Sequence, residues 1–156
     1  MNLVEGDYVA GVGISTGEYL GIETLSQSRY LKVKELTFEL IHYLPIEKVS
    51  DLRKLPSKAT VTKYIKKLET QKPIEVGEIE GSRYRFFKEK LLKGNLKGTL
   101  EVFHDLNIFK KEKKLSVSEK KLFNTILEKL TCEFSHVLGL EKEKAEEVIL
   151  NIGQAA

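Results

Sequence analysis

The spacing of apolar residues changes once along this chain, and that change limits the folds open to it. Up to about residue 45 they recur at every second position. Leu31 and Val33 alternate with Tyr30, Lys32 and Lys34, and Phe38, Leu40 and His42 alternate with Glu39, Ile41 and Tyr43. A two-residue period is that of an antiparallel strand with one buried face. GDYVAGVG, GEYLGIET, RYLKVKE and FELIHYLP, rich in β-branched and aromatic residues and broken by Gly, Ser and Thr, read as short strands. Beyond residue 58 the spacing lengthens to three and four. Val61, Tyr64, Ile65 and Leu68 share one helical face, with Pro73 as the stop, and Tyr84, Phe87 and Leu91 mark a second helix ending at Gly94. Leu96, Leu100, Phe103 and Leu106 mark a third, and Ala145, Val148, Ile149 and Ile152 a last one.

The longest apolar face is Leu122, Ile126, Leu130, Phe134 and Leu138, closed by Gly139. Ser116-Val117-Ser118-Glu119 stands before it with capping-box spacing, in which the serine hydroxyl and the glutamate side chain each accept from the other residue's amide. The proline-flanked segment PIEKVSDLRKLPSK lies between the two regimes. The expected class is therefore α+β: a small SH3- or Tudor-like β barrel at 1–47, a linker at 48–58 and an all-α helical bundle at 59–156. A chain of 156 residues accommodates two such parts. A barrel of some 45 residues has a core that is marginal by itself.

Charge divides the chain in a second way. Residues 1–50 carry 7 acids against 4 bases, whereas 81–121 carry 12 bases against 5 acids, and 122–156 return to 6 acids against 3 bases. Only the middle region is suited to a polyanion. Its densest stretch, FKKEKKLSVSEKKLF (109–123), holds six lysines, with KKEKK read as the loop before the capped helix. In GSRYRFFKEK (81–90), Tyr84 and Phe87 face inward with Leu91. Arg83 and Lys90, seven apart, lie to one side of that face, and Arg85 and Lys88 to the other. Cations interleaved with aromatics suit phosphate contact. Lys120 and Lys121 fall in the first turn of the long helix, where the dipole disfavours them, and a phosphate partner would offset that cost.

Other chemistry finds little support. Gly11-Val12-Gly13-Ile14-Ser15-Thr16-Gly17 lacks the Gly-Lys-Ser/Thr of a phosphate loop and runs into a strand, so its glycines read as turn formers. Cys132 and His136 stand four apart with nothing to complete a metal site, and His42 and His104 have no catalytic partner in view. No enzyme, metal, cofactor or small-molecule substrate is expected. The single cysteine fits a reducing compartment. MNLVEGDYVAG lacks the pattern of a secretory signal and no run is long enough to span a bilayer, so a cytoplasmic protein without membrane attachment is expected.

Taken in order, these features resemble the CarD family, the CdnL-type bacterial regulators that bind RNA polymerase. The resemblance rests on Val-Glu-Gly-Asp-Tyr-Val, Gly21-Ile22-Glu23-Thr24, and Tyr30-Leu31-Lys32-Val33 leading to Leu44-Pro45. It continues through Arg83-Tyr84-Arg85, Glu89-Lys90-Leu91, Leu115-Ser116, Glu119-Lys120-Lys121 and Gly139-Leu140. It implies a Tudor-like module docking on the polymerase β subunit and a helical domain touching promoter DNA at the upstream edge of the bubble, without reading sequence. By position the DNA contacts are Arg83, Arg85 and Lys120, with Lys88, Lys90 and Lys121 added from the charge pattern. The chain departs from the family in three places. The DNA-wedge tryptophan falls at Glu80, two polymerase-facing arginines are replaced by Leu25 and Tyr43, and a proline-histidine turn becomes Ala10-Gly11-Val12-Gly13. The alternative reading is a protein-interaction adaptor whose basic face serves only solubility.

Overall fold

A computed structural model describes residues 2–153. The chain divides between Leu55 and Pro56 into two compact units. The first is an antiparallel sheet of β1 (Tyr8–Gly11), β2 (Ile14–Leu25), β3 (Ser28–Glu35), β4 (Ile41–Pro45) and β5 (Leu52–Lys54), in the order β4-β3-β2-β1-β5. The second is α-helical: α1 (Lys58–Leu68), α2 (Arg83–Leu92), α3 (Leu96–Lys111), α4 (Val117–Leu138) and α5 (Lys142–Leu150). The α+β class is thus as the apolar periods indicate.

The sheet unit departs from the simple alternation in two ways. First, β2 carries a bulge between Tyr19 and Gly21, and Gly21 takes the positive φ of 104° there. Tyr19 pairs with Val33 and Ile22 with Leu31, so two residues an odd number apart lie opposite core positions of β3. Every residue of β2 after the bulge changes face, and this turns Glu23 and Leu25 outward. Second, the segment read as a linker belongs largely to the sheet. A 3-10 turn, Ile46–Asp51, leads from the edge strand β4 to the opposite edge, where Leu52, Arg53 and Lys54 pair with Gly11, Ala10 and Val9. Ile46 and Val49 pack on a core of Val9, Ile14, Tyr19, Leu31, Val33 and Leu52. Gly11 is fixed by this pairing, because a methyl group there would collide with the Asp51 carbonyl. Phe38 and Leu40, expected to alternate within a strand, lie in the turn before β4 and are exposed, with Glu39 at φ 55°.

The helical unit is built around five phenylalanines, Phe87, Phe103, Phe109, Phe123 and Phe134. Phe103 and Phe123 stack with ring centroids 4.9 Å apart, pinning α3 against α4. Burying each such ring contributes about 2–3 kcal/mol. The capping box at Ser116 and Glu119 is formed in both directions, and Gly139 closes α4 at φ 66° in the left-handed region, as the sequence indicates. α1 ends at Leu68, several residues before Pro73, so the proline is not its terminator. In α2 Phe87 is fully buried and Phe86 is half-buried against the core, whereas Tyr84 is 37% exposed. The core thus takes Phe86 where Tyr84 is expected, and Tyr84 is left at the surface.

Candidate nucleic-acid interface

The cationic region of the helical unit is organised by one ion pair. α2 begins at Ser82, whose hydroxyl accepts from the Arg85 amide, and this places Arg83 in the first turn. The Arg83 guanidinium reaches α4. Its Nε donates to Glu119 Oε2 at 2.7 Å, and its Nη2 donates to Glu119 Oε1 at 2.9 Å and to the Lys114 carbonyl at 2.7 Å. The same guanidinium lies 4.4 Å from the centre of the Phe109 ring at the end of α3. Glu119 Oε1 also accepts from the Ser116 amide at 3.0 Å, so one buried carboxylate caps α4 and clasps α2 to it. The Arg83 donors hold the Glu119 carboxyl below the usual range, and the Glu119 carboxylate in turn raises the Arg83 pKa.

This clasp changes what the six expected DNA contacts can do. Arg83 is mostly buried, and its Nε and Nη2 donors are taken up within the fold by Glu119 and the Lys114 carbonyl. Lys90 points the same way and pairs with Glu101 of α3 at 2.6 Å. Arg85 is exposed on the opposite side of α2 and pairs with Glu89 at 3.1 Å. It also borders an open recess with Glu78, Glu80 and Glu89, so its surroundings are acidic. Glu80, the position of the family's wedge, is exposed beside it. Lys88, Lys120 and Lys121 are exposed and have no carboxylate partner among the described residues.

Two further cations, Lys111 and Lys113, join this last group. α3 continues through Lys111, so the first two lysines of KKEKK occupy its final turn, where the dipole favours them. Lys110 lies 4.3 Å over the Phe123 ring and Lys114 pairs with Glu112, while Lys111 and Lys113 are exposed with no carboxylate partner among the described residues. The corner between α3 and α4 therefore carries Lys111, Lys113, Lys120 and Lys121 on a rigid base made by the Arg83–Glu119 clasp. The sequence locates the charge but not the clasp. Arg83 and Glu119 are 36 residues apart, and no local pattern links them.

In the sheet unit, Leu25 and Tyr43 are about two-fifths exposed, at 39% and 42%. The β2 bulge puts Leu25 on the outward face shared by Glu23, Tyr30, Lys32 and Tyr43, as the registers Glu23–Tyr30 and Lys32–Tyr43 require. The Glu23 carboxylate beside the Tyr43 hydroxyl raises its pKa, and Lys32 approaches Glu23 to 4.0 Å. Two residues far apart in sequence thus lie on the same face of β2–β3–β4, with the Glu23–Lys32 pair on that face too. Cys132 is buried in α4 and His136 is exposed beyond it. No helix among the described residues is long and apolar enough to cross a membrane.

No curated protein sequence matches this chain. Its helical unit does match a family model, that of the CarD C-terminal domain, over residues 60–150. That span begins within α1 and ends with α5, so it takes in the clasp, the aromatic core and the lysine corner together. It covers more than half of the chain, and the protein belongs to the CarD family of transcription regulators.

Proposed function

We propose that this protein regulates transcription without catalysing a reaction, by docking its sheet unit on the RNA polymerase β subunit and laying its α3–α4 corner on promoter DNA near the upstream edge of the bubble. The observation that carries this reading is the corner itself. Four lysines with no carboxylate partner among the described residues stand on a base fixed by a buried ion pair, within the region matched to the CarD C-terminal domain. Lysine ammonium groups contact phosphates without reading bases, so binding is expected to be weakly sequence-specific and strongly salt-dependent. Contacts made only in the opened promoter would shift the closed–open equilibrium by their differential free energy. Of the contacts expected from the sequence, Lys120 and Lys121 take the leading part and Lys88 a peripheral one. Arg85 and Lys90 contribute less because Glu89 and Glu101 already neutralise them, and Arg83 acts by holding the base of the site.

Leu25 and Tyr43 are the proposed polymerase contacts. An aromatic and an aliphatic residue exposed on the same sheet face are the type of groups that anchor a protein interface. Calorimetric titration of the full chain into the isolated N-terminal part of the β subunit tests this role. Binding is expected, with Tyr43→Ala and Leu25→Asp each weakening it about tenfold, or ~1.4 kcal/mol. Absence of binding by the full chain would remove the docking role and favour an adaptor serving some other partner.

A further inference from the structure

α1 presents a surface that the corner does not account for. Val61, Tyr64, Ile65 and Leu68 face the core. Lys63 and Lys67 stand one turn apart on the outside, with no carboxylate partner among the described residues. Like charges at that spacing repel each other and weaken a helix. The same bundle neutralises this spacing elsewhere, between Arg85 and Glu89. Lys67 also lines one recess with Lys97 of α3, together with Tyr64, Gln71 and Glu101. Lys90 pairs with Glu101 at 2.6 Å and cancels its charge. Beside the apolar Leu68 and Leu100, what remains in the recess is two ammonium groups, an amide and a phenol, all of which can donate to phosphate oxygens.

Resting on the DNA reading above, we propose that Lys63, Lys67 and Lys97 form a second surface for the phosphates of duplex DNA, separate from the α3–α4 corner. Lys97 and Lys111 stand at opposite ends of α3, fourteen residues apart. At 1.5 Å per residue that separation is about 21 Å, the rise of roughly six base pairs. DNA suits this surface better than an acidic protein does. The cluster lacks an exposed large apolar residue of the kind that anchors a protein interface.

Titration of the full chain against a labelled promoter duplex at several salt concentrations tests the second surface. Lys63→Ala/Lys67→Ala/Lys97→Ala is expected to weaken binding at low salt at least ~10-fold and to flatten the slope of log affinity against log salt by about 2–3. Lys58→Ala/Lys66→Ala/Lys142→Ala removes the same charge from other exposed positions and is expected to change the slope by less than about 1. All six positions are exposed, so circular dichroism melts should stay close to those of the parent. An unchanged slope in the first variant, or an equal drop in the second, overturns the second surface and leaves the corner standing. If the parent chain fails to bind duplex even at low salt, the DNA reading itself falls, and the second surface with it.

Discussion

Arg83→Met is expected to destabilise the helical unit by about 3 kcal/mol, because it strands a buried carboxylate. Glu119 has 5% of its side chain exposed, and without Arg83 it keeps only Ser116, through its amide and hydroxyl, among the described contacts. In a unit of about 100 residues such a loss lowers the melting temperature by roughly 12 °C or more. The pH dependence supplies a second signature. Glu119 titrates below its ordinary value in the fold. The clasp's contribution is therefore complete above about pH 4.3, the ordinary value for a glutamate, and is lost as the pH falls through the lower folded value. In Arg83→Met that dependence should shrink or reverse, since protonation would relieve the stranded charge. Arg83→Met/Glu119→Leu should recover part of the loss, because an apolar pair of similar volume can replace a buried ion pair. Thermal melts between pH 3 and 7 of the parent and both variants check these expectations. A shift of less than about 2 °C in Arg83→Met would show that the clasp does not support the fold, and would free Arg83 for a direct DNA role.

The second large effect concerns the corner. Lys111→Glu/Lys113→Glu/Lys120→Glu/Lys121→Glu is expected to weaken duplex binding more than ~100-fold and to remove about 3–4 from the salt slope, at nearly 0.9 per phosphate contact. Arg85→Glu/Lys90→Glu, which reverses cations already paired with Glu89 and Glu101, should have the smaller effect on the slope. Fluorescence anisotropy with a labelled duplex measures both. Equal effects from the two variants would move the DNA face from the corner to α2.

The outlines of both units are legible in the sequence because their signals are local. Leu122, Ile126, Leu130 and Phe134 are buried in α4, as four-residue spacing requires, and both the Ser116 cap and the Gly139 terminus form. The misses have non-local causes. β5 is three residues long and is a strand only because β1 pairs with it. The β2–β3 hairpin turns at Ser26 and Gln27, both at positive φ, without the Asn-Gly signal that usually announces such a turn. The bulge at Gly21 changes the face of β2 partway along, so simple alternation does not place Leu25. At the start of α2, Tyr84 and Phe86 compete for the core, and packing against the other helices settles the choice. The site was half legible for the same reason. The density of lysine is plain in 109–123, but which cations are neutralised depends on Glu101 and Glu119, carboxylates that other helices bring in.

The most direct measurement is the lifetime of polymerase–promoter open complexes after a competitor is added. It should be followed with no added protein, with the full chain, and with the four-lysine corner variant. Under the proposed role the full chain changes the lifetime, and the corner variant restores it towards the value without protein while still binding the isolated N-terminal part of the β subunit. A full chain that leaves the lifetime unchanged, or a corner variant that acts as strongly as the parent, would contradict it.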